Sequence, residues 1–246
     1  MSGVDRFLQP FQVGLGEYLG RFHASIVPLT KQVEEFANRP QTQAMAFASG
    51  RMVDDAQKMV DQYRSDTGNG KTPGTRLPAI IVAMDPEVVP TGRDFVNQVS
   101  TDQYVRFSES DTRVFKLRTM AIDQRVQVAI AAHEPATAKA IAAQLLLFMD
   151  ADRYIYPQYE FAGHTRRWRA MIETPESPAS RVDTEEANLT LLAIDLVLKA
   201  TIPIYTAPAP GEPNDGSSLT PPGYPVVNEV IDVDKIPVIE DPSQYV

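Results

Sequence analysis

The sequence contains no cysteine among its 246 residues, which excludes disulfides, thiolate zinc sites and cysteine nucleophiles. Histidine is almost missing too: His23, His133 and His164 are the whole supply, and no two of them stand at metal-ligand spacing. No uninterrupted apolar run reaches the roughly 18 residues that a spanning helix needs. The amino terminus, Met1-Ser2-Gly3-Val4-Asp5-Arg6, lacks a charged segment followed by an apolar one, so a soluble protein made and used without export is expected. No Gly-x-Ser-x-Gly elbow is present to expose a serine nucleophile.

Positive charge is scarce as well. The formal net charge is −9, and residues 207–246 hold seven acids (Glu212, Asp215, Glu229, Asp232, Asp234, Glu240, Asp241) against Lys235 alone. Six of the nine net negative charges therefore belong to this tail, and residues 1–206 are nearly balanced. A body without a strong positive field is a poor match for gripping phosphates, so no specific nucleic-acid binding is expected.

What is present is an ordinary globular composition, 43% apolar, arranged in two periods. Phe7, Phe11, Leu15, Tyr18, Leu19 and Phe22 recur at three- and four-residue steps, as one buried helix face requires, with Pro10 tolerable in the first turn. Thr30–Phe36 and Arg51–Tyr63 read as further helices, and Gly68, Gly70, Pro73 and Gly74 mark a loop. The period then changes. Leu77–Met84 is a short apolar, β-branched run suited to the interior of a sheet, and Val114–Ala132 reads as a long strand or hairpin with Val126, Val128 and Ile130 on its core side.

Ala136–Met149 is the strongest helix pattern, started by Pro135 and rich in alanine and leucine. Arg167–Ile172 and Leu189–Thr201 alternate as strands, the first with Trp168, Ala170 and Ile172 on one side. The segment 174–183 between them is too long for a tight turn and is expected to project as an arm or loop. These elements predict an α+β fold, a mixed or antiparallel sheet packed against helices. Residues 1–76 form a helical amino-terminal region, 77–206 the α+β body, and 207–246, with eight prolines, an extended acidic arm.

The chemistry-bearing motifs are few. Gly68-Asn69-Gly70-Lys71-Thr72 ends like a phosphate-binding loop, but Ser65 stands where its first glycine belongs and Pro73 interrupts any following helix. Asp54 and Asp55, like Glu34 and Glu35, are adjacent on expected helices and point apart, whereas cooperating carboxylates must converge. No catalytic residue, cofactor or metal site is expected. The one basic concentration, His164-Thr165-Arg166-Arg167-Trp168-Arg169, has two readings: the exposed side of a half-buried strand, or an intersubunit contact that the acidic tail complements. Val230, Ile231, Ile236 and Ile239 are scattered among acids and prolines in a tail too apolar for a simple linker. Together with Arg166, Arg167 and Arg169 they are the candidate intersubunit contacts, since extended segments of this kind add to a neighbour's sheet edge or lie in a groove.

The succession Leu77–Asp85, Gln124–Ala132, Glu134–Asp150, Arg167–Thr174 and Asn188–Ala200 resembles the layout of phage tail terminator and neck proteins. In that family a strand leads into a helix of the A-x-x-I-A-x-x-L kind, here from Ala138 through Ile141 to Leu145, followed by two antiparallel strands separated by a loop. The resemblance covers roughly residues 77 to 201. It implies a non-enzymatic virion protein, a homo-oligomeric and hexameric ring assembled in the bacterial cytoplasm, which caps the tail tube and joins it to the head. Its partners would be the tail tube, the sheath and neck or connector proteins, with DNA passing through the lumen and no membrane involved. The helical amino-terminal part and the long acidic arm depart from the family pattern. They leave open a collar or baseplate subunit, and a non-viral protein–protein adaptor remains the alternative outside that class.

Overall fold

Helix α1 (Gln9–Ser25) forms where apolar residues recur on one face: Phe11, Leu15, Tyr18, Leu19 and Phe22 are all buried, and Pro10 sits in the first turn, where no intrahelical N–H is needed. The computed structural model describes residues 8–49, 54–68, 77–91, 103–108, 110–173, 178–184, 186, 188–212 and 215–217. Phe7 and the Gly-Asn-Gly-Lys-Thr stretch from residue 69 onward fall outside them.

Helix α2 (Lys31–Ala37) begins at Thr30, whose hydroxyl accepts the Val33 N–H at 3.2 Å and so satisfies one of the free donors of the first turn. Residues 41–47 add a short helix α3 (Gln41–Ala44) and strand β1 (Met45–Phe47). A strand thus interrupts the region expected to be purely helical. Helix α4 spans Ala56–Gly68 rather than starting at Arg51: Asp54 adopts a positive φ of 79°, and Asp55 Oδ1 accepts the Lys58 N–H at 3.0 Å as the cap. Neither aspartate lies on the helix, so the picture of two side chains on a helix face is corrected.

Strand β2 (Ala79–Met84) is buried at all six positions. It lies between β1, parallel in the register Met45↔Ile80, and β5 (Phe115–Ala132), antiparallel in the register Ala79↔Ala131. β5 is one uninterrupted strand of 18 residues, not a hairpin. Its expected one-sided alternation does not hold at its end, because Gln127 and Ala129 are buried as well as Val126 and Val128. Two short strands, β3 (Val89–Pro90) and β4 (Gln103–Val105), also pair antiparallel with β5.

Helix α5 (Pro135–Ala151) matches the expected pattern, with Ala138, Ile141, Ala142, Leu145 and Met149 buried. After it come β6 (Tyr154–Ile155), the hairpin β7 (Gln158–Phe161) and β8 (His164–Arg167), then β9 (Ala170–Ile172), β10 (Ser180–Val182) and β11 (Thr190–Thr206). The expected strand Arg167–Ile172 is in fact two: β8 pairs with β7, β9 pairs with β6 and β11, and Trp168 and Arg169 lie in the break between them. Part of the expected projecting loop folds back as β10, antiparallel to β11. The main sheet order is β1-β2-β5-β11-β9-β6, with parallel and antiparallel pairs, so the protein is α+β with a mixed sheet.

The chain divides into two units, each discontinuous in sequence. The first comprises residues 1–93, 121–158 and 168–201, so β1 from the amino-terminal region and β2 from the expected body share one sheet there. One face of that sheet packs Ile81, Ala129, Leu191 and Ala193 against Met59, Val60 and Tyr63 of α4. Side chains alternate along a strand, so Thr190 and Leu192 turn to the opposite face, where they line a groove with α5. Helices cover both faces, which is why β2 reads as a continuous apolar run. Burying each of the larger apolar side chains, such as Ile81 or Leu191, stabilises by about 1.5–3 kcal/mol. Beside α5, Phe148 meets Tyr18 and Phe22 of α1 with ring centroids 5.1 and 5.7 Å apart. α1 approaches the chain after β6 so closely that a Cβ at Gly14 would stand 3.0 Å from Pro157 N, tighter than most side chains' contacts, so glycine suits this position.

The second unit comprises residues 94–120, 159–167 and 202–246. Its described part holds β4 against the start of β5, the turn joining β7 to β8, and the end of β11.

Candidate functional site

The basic cluster on residues 164–169 does not act as one patch. Arg166, half-buried in β8, lays its guanidinium over the Phe107 ring at 5.4 Å and donates to the Phe107 carbonyl. Arg167, the last residue of β8, is exposed. Arg169 lies beyond the break, belongs to the first unit, and stacks its guanidinium over Tyr154 at 4.7 Å. Two of the three candidate arginines are thereby committed to aromatic rings of their own chain. Trp168 is half-buried, and its N–H donates to the Pro157 carbonyl at 2.9 Å.

His164 and Arg166 converge on residues that no local pattern joins to them. His164 Nε2 lies 2.9 Å from Asp111 Oδ2, and its ring stacks on Phe107 at 4.9 Å and 19°. Asp111 also accepts from Arg113 through both carboxylate oxygens, at 2.9 and 2.7 Å. The Arg113 guanidinium first, and His164 after it, hold the Asp111 carboxyl well below the usual carboxylate range against the opposing effect of burial. Around this cluster Phe107, Phe115, Phe161 and Tyr205 make ring contacts of 4.8–6.4 Å. An aspartate orienting a histidine is half of a nucleophilic triad, but among the described residues no hydroxyl is hydrogen-bonded to the other ring nitrogen. The arrangement anchors an aromatic core. The only local signal for it was the Asp111-Thr-Arg113 turn, since His164 lies 53 residues further on.

A second polar network stands at the turn before α4. Arg125 holds Asp54 with both guanidinium nitrogens and reaches Asp195 Oδ1 at 3.3 Å. Gln127 accepts the Asp54 N–H at 3.1 Å and donates to Asp195 at 3.1 Å. The hydrogen-bonded Arg125 guanidinium holds the Asp54 carboxyl below its ordinary range. The two carboxylates converge on an arginine of the same chain. His133 is exposed at the start of α5, with Nδ1 3.2 Å from the Asn188 carbonyl. Among the described residues no three His, Asp or Glu side chains are grouped to hold a metal ion.

At the start of the tail, two acids serve as turn caps. Glu212 accepts the Ala209 N–H at 2.9 Å, and Asp215 accepts from the Gly211 and Ser217 N–H groups at 2.6 and 2.8 Å. Thr112 donates to the Gly216 carbonyl at 3.2 Å. Val230, Ile231, Ile236 and Ile239 lie outside the described residues. No described helix is long and apolar enough to cross a membrane. No protein-family model matches the chain and no curated protein matches it, so its function is argued from the residues and contacts above.

Proposed function

We propose that the protein is a non-enzymatic structural subunit of a tailed phage virion, forming a ring at the head–tail junction as a tail terminator or neck component. The observation that carries this reading is the sequence order of the main elements, the buried strand β2, the long strand β5, the helix α5, then β9 and β11 paired antiparallel, with β3 and β4 before β5, β6 to β8 before β9, and β10 before β11. The resemblance implies a strand, a helix and two antiparallel strands in that order, and the additional short strands depart from it.

Surface chemistry supports an assembling role. α5 buries one side within the first unit, yet it turns Lys139, Ala143 and Leu147 outward, and Leu147 is 70% exposed. Small and apolar residues on the outer stripe of a rigid helix suit contact with another protein chain. The ionic groups described above are spent on intrachain contacts, which favours a scaffold over a catalyst.

The test is the mass of the full-length protein by light scattering, with negative-stain images of the same sample. A ring of about six 27.2 kDa protomers is expected. A monomer at all concentrations, which also fails to join purified tail tubes, would overturn the reading.

A further inference from the structure

Between α5 and the strands β10 and β11 the first unit carries an open groove of about 420 Å3. Its floor is apolar, built from Ala142 and Leu146 of α5 and Leu192 of β11, and its rims carry Lys139 and Arg181. Both cations are exposed, and neither has a carboxylate partner among the described residues, in contrast to Arg21, Arg64, Arg113 and Arg125. One wall is β10, which pairs with β11 in the register Arg181↔Leu192 and with no other strand among the described residues. A cationic, apolar-floored groove beside an unpaired strand edge fits an extended peptide with alternating apolar and acidic side chains.

The chain itself carries such a segment. Residues 230–234 read Val-Ile-Asp-Val-Asp, which in an extended strand sets Ile231 and Val233 on one face and Asp232 and Asp234 on the other. Ile236, Val238, Ile239, Glu240 and Asp241 continue the mixture, and Pro237, lacking an N–H, limits how far backbone pairing extends. Glu212 and Asp215 are used as turn caps, so the other five tail acids, all between residues 229 and 241, carry the complementary charge.

We propose that the groove between α5 and β10 receives residues 230–239 of a second copy of this chain, with Ile231 and Val233 on the Ala142–Leu146–Leu192 floor and Asp232 and Asp234 beside Lys139 and Arg181. Placement in a second copy rests on the protein being an assembling subunit. Each subunit then both gives and receives an arm. Heterologous contacts of this kind close into rings when the rotation between copies permits.

The absence of cysteine makes the test direct. Full-length Lys139→Cys and Asp234→Cys are mixed and oxidised, and disulfide-linked pairs are read on non-reducing gels and by mass spectrometry. Lys58→Cys on α4, also exposed, replaces Lys139→Cys as the control. A dimer linked through positions 139 and 234 is expected. Its yield should fall about three- to tenfold when Arg181→Glu is added and recover when Asp232→Arg joins it. An oligomer by light scattering with no cross-link above the Lys58→Cys control would overturn the groove assignment and leave the subunit reading standing. In a variant that carries both cysteines in one chain, a link formed within that chain at monomer mass would overturn exchange between copies. A monomer without any cross-link would sink both ideas, and a link indifferent to Arg181→Glu would overturn the charge pairing.

Discussion

The two units solve the problem of a stable interior differently. The first has enough strands to place a sheet between helices, and its centre is aliphatic: Ile80, Ile81, Val128, Ile130, Leu191 and Ile194 are each at most 1% exposed. The second uses a few strand segments and aromatic rings, Phe107, Phe115, Phe161 and Tyr205, held by Asp111, Arg113, His164 and Arg166. A small region cannot bury much aliphatic area, whereas each aromatic side chain buries roughly 150–250 Å2 and orients its neighbours. Its polar anchors then fix the rings in place.

The sharpest way to break this contrast is Ile130→Ala in the first unit. Ile130 has no exposed surface and sits opposite Ile80 with helices on both faces, so the loss should be about 3–5 kcal/mol. Urea unfolding checks it, and a cost under about 1 kcal/mol would mean that the sheet repacks freely. Phe107→Ala comes next. It removes the ring shared by Phe115, His164, Tyr205 and Arg166, at about 3 kcal/mol. Hydrogen exchange should show the loss concentrated in residues 103–120 and 159–167, and uniform loosening over the whole chain would erase the distinction between the units.

Asp111→Asn has the smallest effect, about 1–2 kcal/mol near neutral pH. The Asp111 carboxyl is depressed in the folded protein and returns to about 3.9 on unfolding. Its contribution is therefore complete above about pH 4 and declines as pH falls through that value toward the folded one. The stability gap between wild type and Asp111→Asn, measured by urea unfolding, should narrow from pH 6 to pH 3. A constant gap would mean that the carboxylate charge plays no part.

What the sequence disclosed follows from range. α1, α2, α5 and β2 were legible because their apolar residues repeat at the period of a single element. β1 and β10 were not, because Met45-Ala-Phe47 and Ser180-Arg-Val182 are too short to show any period. The break at Trp168 and Arg169 was hidden because Trp168, Ala170 and Ile172 keep a strand's alternation across it. Asp54 looked helical until its positive φ placed it in a turn, held by Arg125 71 residues away. Of the candidate contact residues, Arg166 and Arg169 turned out to be tied to Phe107 and Tyr154, pairings that no local pattern encodes. Lys139 and Arg181 were overlooked because each is a single cation in an otherwise ordinary element.

The complete burial of β2 has a consequence for how the chain is made. β1, its parallel neighbour, is already synthesised when β2 appears, but its other neighbour runs from Val126 to Ala131 and α5 follows later still. At about 5–20 residues per second, the ribosome needs several seconds to supply the missing partner. During that interval Ala79-Ile-Ile-Val-Ala-Met84 is an apolar strand with an unpaired edge, the kind of segment that aggregates. Faster translation after residue 84, or a chaperone that shields this segment, should therefore raise the yield of soluble protein more than any change to the finished surface.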